Sequence, residues 1–285
     1  MMAQIVPEGG RISGQSSLVH LDAWNWEDAA LATDIAIHVR WPRATSFNFR
    51  QRKVTKNEKY DEQISSVENF LKEAKAYANK SNPDKVNLKF EAMNGLFSGK
   101  KKLFIHTNSA TSIKRAVLMA KQQNLTPVIV GGREAWMIVD FLKENNIAVV
   151  LGEAQSLPSN AHADIDQPFK TAAALNAAGV LFALTGEGNW KQRNLAFQAG
   201  QAAAFGLDKE AALKAVTSNP AKILGLENQI GTIEKGKDAT FIVSEGDVLD
   251  MRTSKITEAY IQGRKVDLDD KQKALYRKFQ KKYNK

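Results

Sequence analysis

LFIHTNSATSIKRAVLMAKQQNLTPVIVG, residues 103–131, is the stretch whose reading decides the fold. It opens on the apolar run Leu103 to His106 and closes on a second run, Pro127 to Val130, followed by Gly131. A helix from about Ser112 to Gln122 is predicted between them. The alternation continues downstream. A helix runs through EAWMIVDFLKENN, a strand AVVLG ends on Gly152, a helix covers 168–178, and a strand VLFALT ends on Thr185 before the long stretch 194–224. Short apolar runs between helices of about 10 to 15 residues mean parallel strands buried on both faces, in a doubly wound sheet or a (β/α) barrel. Catalytic groups then lie at the strand C-termini: His106, Gly131, Gly152 and the TGEGN loop.

Upstream the pattern is less regular. Residues Ala3 to Val6 and Ser17 to Leu21 read as two strands joined by the turn-rich PEGGRISGQ. LDAWNWEDAALATD follows, in which Trp24 and Trp26 lead into an acidic, alanine-rich helix start; they anchor a loop or, alternatively, form a ligand platform. From Tyr60 to Lys80, apolar Ile64, Val67, Leu71, Ala74 and Tyr77 fall at three- and four-residue steps, the mark of an amphipathic helix. A second helix is expected over Lys85 to Leu96. Beyond Gly225 the chain turns to short β segments with glycine turns, QIGTIEKGKDATFIVSEGDVLD and KITEAYIQGRKV. It ends in a basic amphipathic helix with Leu268, Leu275, Phe279 and Tyr283 apolar.

At 285 residues, 43% hydrophobic, the chain has material for one barrel-sized domain and a small appendage. Its net charge of +9 is partly concentrated in Lys271, Lys273, Arg277, Lys278, Lys281, Lys282 and Lys285, which reads as a solvated tail and not as a nucleic-acid site. The absence of cysteine excludes disulfides, thiolate metal sites and cysteine nucleophiles. No run of about 18 apolar residues exists, so no membrane span is expected. The first residues carry neither a basic nor an apolar leader region, so the default compartment is the cytoplasm, or the periplasm if a preceding segment carries a signal peptide.

Residues 194–243, NLAFQAGQAAAFGLDKEAALKAVTSNPAKILGLENQIGTIEKGKDATFIV, resemble the C-terminal signature of the amidohydrolase superfamily, in particular its imidazolonepropionase-like members. The matching features are Asn219-Pro220-Ala221, then Ile223-Leu224-Gly225, then the Ile-Gly-x-Ile-x-x-Gly-x-x-Ala-x-x-x-Val run. AGVLFALTGEGN is similar to the eighth barrel strand of that family, and LFIHTN and PVIVGGREAW to the fifth and sixth. Residues 3–28 look like a subgroup of bacterial members. The resemblance implies an α/β fold: an incomplete (β/α)8 TIM-type barrel over 1–225, part of a small composite β-sandwich over 226–266, and a basic helix over 267–285. It also implies that the first barrel strand and the first part of the sandwich lie outside this chain.

The same resemblance implies hydrolysis of carbon–nitrogen bonds in cyclic amides or related compounds, with a divalent metal, zinc, activating water. The family ligands are a His-x-His after the first strand, histidines after the fifth and sixth, and an aspartate after the eighth. No His-x-His occurs here; the histidines are His20, His38, His106 and His162. His106 stands where the fifth-strand ligand belongs, or else is a strand-end histidine with a purely polar partner. Gly131-Gly132 replaces the sixth-strand His-Gly, which removes a ligand; with Arg133 it offers free N–H groups to a substrate anion, or it is a plain turn. Thr185-Gly186-Glu187 stands where the family has Ser/Thr-x-Asp, so Glu187 is the candidate base and metal ligand, displaced by about 1.5 Å by its extra methylene. Asn189 in the same loop is a candidate substrate contact. His162, near Asp164 and Asp166, is a candidate substrate contact or chelator, or lies on a solvated rim. His20 and His38 read as structural.

These departures put zinc in doubt and leave a second reading, a non-catalytic relative that serves as a binding or assembly scaffold. A barrel missing its first strand is expected to expose two unpaired edges. The partners expected are therefore a small-molecule substrate and either a second copy of this chain or a companion chain that supplies the missing segment.

Overall fold

The structure, a computed structural model, describes residues 1–50, 52–80, 85–158, 160–186, 188 and 191–283. Strands β1 (Met2–Ile5) and β2 (Ile12–His20) pair antiparallel, and a four-residue helix α1 (Trp26–Ala29) leads into the long strand β3 (Ala30–Arg40). A hairpin, β4 (Thr45–Asn48) and β5 (Lys53–Lys56), precedes helices α2 (Tyr60–Ala78), α3 (Leu88–Glu91) and α4 (Asn94–Phe97). Then come β6 (Lys102–Thr107), α5 (Ala110–Gln122), β7 (Pro127–Gly131), α6 (Val139–Glu144), β8 (Val149–Leu151), α7 (Gln167–Ala177) and β9 (Phe182–Leu184). Three short helices follow, α8 (Leu195–Ala204), α9 (Lys209–Lys214) and α10 (Ser218–Leu224).

One seven-stranded sheet, in the order β1-β2-β3-β6-β7-β8-β9, carries this part of the chain. Neighbours from β3 to β9 are parallel, whereas β2 is antiparallel to β3. The parallel strands are those that the alternation of strand and helix predicts, and the sheet is the incomplete barrel that the family resemblance implies. One face of each strand packs under the helices, with Ile37, Val39, Leu103, Ile105 and Ile129 buried against side chains such as Leu71, Ile113 and Leu142. Helix α2 presents Ile64, Val67, Leu71 and Ala74 to that layer, as its spacing predicts. Helix α5 starts where Ser109 accepts a hydrogen bond from the Ser112 amide, an N-cap that satisfies one otherwise orphaned donor.

The inner face is filled from an unexpected direction. Ile223 joins Ala36, Phe104, Val128 and Ala183, from four different strands, in one buried cluster, and Ala221 joins Leu18 and Ile230 in another. The 194–224 stretch is thus three helices, of which the last lies on the inner face of the sheet. Asp208 caps α9 by accepting from the Ala211 amide, and Pro220 sits in the first turn of α10, where a missing N–H costs nothing.

The expectation of two open edges is corrected at β9. Residues 181 and 185 bond to β8, so Phe182 and Leu184 face outward. There the Leu184 amide donates to the Ala215 carbonyl at 3.0 Å, and Asn219 Nδ2 donates to the Phe182 carbonyl at 2.8 Å. The segment around α9 and α10 therefore satisfies part of the backbone that a further strand would otherwise pair with. At the other edge, β1 pairs only with β2 among the described residues.

Three further expectations change. The helix start expected in LDAWNWEDAALATD forms only as the four residues of α1, and from Ala30 the chain is strand, because Ala36, Ile37, His38 and Val39 are all buried; a bulge, with Asp34 at φ 54°, conceals the two-residue period. The helix expected over 85–96 is two separate turns, α3 and α4; Asn94 and Gly95, both weak helix formers, open the second. In the appendage, the stretch from Gln229 to Thr240 has turns only, and the strands are β10 (Phe241–Glu245), β11 (Lys255–Ile261) and β12 (Arg264–Lys265). Gln262 and Gly263, with φ of 50° and 78°, make the tight hairpin between the last two. Arg264 joins this sheet to the barrel by pairing with Asp22 at 2.7 Å. Helix α11 (Lys271–Tyr283) buries no residue, and no helix among the described residues is long and apolar enough to cross a membrane.

Candidate active site

Parallel pairing of β3 with β6 sets Arg40 opposite His106 and His38 opposite Phe104, which brings residues far apart in sequence onto one inner face. His38, 1% exposed, stacks on Phe104 with ring centroids 5.0 Å apart. Its Nδ1 lies 2.9 Å from His106 Nε2, and its Nε2 lies 2.7 Å from Ser16 Oγ. Gln4 Nε2 in turn donates to Ser16 Oγ at 2.9 Å. His106 is half-buried at the C-terminal end of its strand.

Proton positions follow from counting donors and acceptors. Ser16 is buried and already accepts from Gln4, so its hydroxyl proton needs an acceptor, and His38 Nε2 is the one in reach. His38 then carries its proton on Nδ1 and donates it to His106 Nε2. His106 is left with its proton on Nδ1. The relay Gln4, Ser16, His38, His106 thus donates in one direction and ends in an N–H.

Both rings are held neutral. Burial pushes the His38 pKa down to about 3, helped by the neighbouring His106 and by Arg40. Burial and then Arg40 push His106 down to about 4. Arg40 makes no ion pair among the described residues, and its Nε is shielded from solvent without an acceptor.

This arrangement does not fit the divalent metal that the family resemblance implies. In this tautomer the Nε2 lone pair of His106 accepts from His38, and its Nδ1 carries a proton, so neither is free to ligate. The guanidinium alongside repels a cation. Among the described residues no group of three histidine, aspartate or glutamate side chains is placed to hold an ion.

The other candidates are distributed as follows. Gly131 and Gly132 adopt φ of 100° and 59°. A Cβ on Gly131 would meet Asn108 Oδ1 at 2.5 Å, and one on Gly132 would meet Val149 Cγ1 at 2.8 Å, so this backbone has no room for a histidine at either position. Of the free amides expected there, that of Gly132 is a correction, since it donates to the Thr107 carbonyl at 2.9 Å; next to them the Glu134 amide donates to the Asn108 carbonyl at 3.0 Å. Arg133 is exposed. His162 is exposed, and its amide bonds Asn160 Oδ1; Asp164 and Asp166 pair with Lys170 at 3.7 and 2.8 Å, so they form no chelate with it. Glu187 and Asn189 lie outside the described residues.

The sequence reading missed His38, Ser16, Gln4 and Arg40. The signal available was the inward period of Ala36, His38 and Arg40 in one strand, hidden once residues 30–34 were taken as helix. His20 is buried, neither of its ring nitrogens has a hydrogen-bond partner, and a buried Asp238 oxygen is likewise unpaired.

Parallel strands with helices outside and a histidine at a strand end on the inner face define a scaffold of the (β/α)-barrel class. The chain belongs to the amidohydrolase family, whose model it matches over residues 91–269. It is similar to an amidohydrolase from Thermotoga maritima, with a TM-score of 0.80 and 27% identity, covering 93% of this chain and 71% of that one. A prolidase solved with N-methylphosphonate-L-proline shares the fold at a TM-score of 0.50 and 16% identity, over 84% of this chain and 70% of that one. N-acetylglucosamine-6-phosphate deacetylase of Danio rerio is 44% identical over 63 residues, which spans 22% of this chain and 14% of that relative.

Proposed function

We propose that this chain is part of an amidohydrolase-type hydrolase that acts on carbon–nitrogen bonds of cyclic amides or related small molecules. The observation that supports it most is the placement of His106 at the C-terminal end of β6, the end of a (β/α) barrel where catalytic groups collect. Its N–H, oriented through His38 and Ser16, is aimed by a buried relay and needs no reorganisation to hold an oxygen of the substrate. Glu187, from its place after the eighth-strand segment, is the base in this reading. The test is turnover of a panel of cyclic amides: measurable hydrolysis that falls by about 10² or more in Glu187→Gln supports it. Unchanged activity in that variant removes Glu187 from the mechanism.

The scaffold reading draws its support from Gly131, which supplies no ligand, and from the Arg40 charge beside His106. A chain with no turnover on the panel but with saturable ligand binding belongs there. In either case the chain associates through the β1 edge, with a second copy or with a companion chain. Light scattering behind size-exclusion chromatography checks this: a cooperatively melting monomer of 31.5 kDa contradicts it.

A further inference from the structure

We propose that the inner face at the C-terminal ends of β3 and β6 is an anion site, which takes a carboxylate or phosphate group of a small molecule through the Arg40 guanidinium and the His106 Nδ1–H. The inference names the charge of the molecule that the hydrolase reading leaves open.

Three observations converge on it. Arg40 and His106 are directly opposite one another in parallel register, so their side chains emerge side by side on the same face. Arg40 holds a positive charge with no ion pair among the described residues and with Nε sealed from water and unbonded, although guanidinium N–H groups are obligate donors. The hydrogen-bond relay from Gln4 through Ser16 and His38 donates in one direction and delivers a donor, not a lone pair, at His106. No carboxylate among the described residues acts on either histidine; the neighbouring charge that acts on both is Arg40. A face that presents a guanidinium fork and one imidazole N–H side by side is complementary to a planar or tetrahedral oxyanion. Its half-buried position strengthens such bonds by limiting competition from water.

The probes are inorganic phosphate and, separately, acetate, titrated at constant ionic strength while melting temperature and the imidazole NMR signals of His106 are followed. The expected result is a saturable rise in melting temperature with at least one probe, together with a shift of the His106 ring signals but not those of exposed His162. Arg40→Gln should weaken this binding by about ten- to a hundredfold, the loss of a charge-assisted contact. Arg40→Lys, which keeps the charge but not the fork, should fall between. Preference for phosphate or acetate assigns the two sources of the chemistry. A rise that does not saturate and is equal in wild type and Arg40→Gln is a general salt effect and overturns the proposal, as does the absence of any response. If Arg40→Gln fails to fold, Arg40→Lys and His106→Gln carry the same comparison. Binding without turnover sinks the hydrolase reading alone, and turnover without binding sinks this one alone.

Discussion

Truncating Ile223 to alanine tests whether α10 closes the inner face of the sheet. Ile223 is 4% exposed and lies in one buried cluster with Ala36, Phe104, Val128 and Ala183, residues of four strands. The change removes three methylene equivalents at about 0.8 kcal/mol each, or roughly 2.4 kcal/mol of transfer free energy. The sheet backbone cannot follow the lost volume, so a cavity contribution brings the cost to about 3–4 kcal/mol, within the usual range for such truncations. In urea this is a fall in midpoint of about 1 M or more at unchanged slope, for slopes of about 1–3 kcal/mol/M. Ile233, ten residues on and 84% exposed, supplies the control: its truncation should change stability by less than about 0.5 kcal/mol. If Ile223→Ala is as mild as Ile233→Ala, α10 does not occupy the inner face, and the edge of β9 is not satisfied by Ala215 and Asn219 either.

Two other measurements bear on the site. Because His38 and His106 are pushed from 6.5 to about 3 and about 4, the unfolded chain binds more protons than the folded one from pH 6.5 down to about 4 for His106 and about 3 for His38; stability should therefore be complete above pH 6.5 and fall as pH drops through that window, by on the order of a few kcal/mol for the pair. The part due to the histidines is read as the difference in slope between wild type and His38→Gln, and equal slopes would contradict the neutral relay. Elemental analysis after dialysis against a chelator should find less than one divalent ion per molecule, whereas stoichiometric zinc would bring Glu187 and a different His106 tautomer into a metal centre.

Local pattern alone determined a good part of this protein. The parallel strands ending at His106, Gly131 and Thr185 and the buried stripe of α2 are set by short-range periodicity, which is written into neighbouring residues. The Asn219-Pro220-Ala221 step identified the family, although Asn219 turned out to cap the edge of β9. What no local pattern carries is which distant groups meet. His38 and His106 are 68 residues apart and share a hydrogen bond only because β3 and β6 are neighbours in the sheet, an adjacency set by packing between layers. The strand that bears His38 has an alanine-rich start and a bulge, so local propensity pointed to a helix, and burial on both faces overrode it. The same holds for charge. Arg40 is one of 40 basic residues in the sequence, and only the fold, by removing its Nε from water without giving it a partner, distinguishes it from the rest.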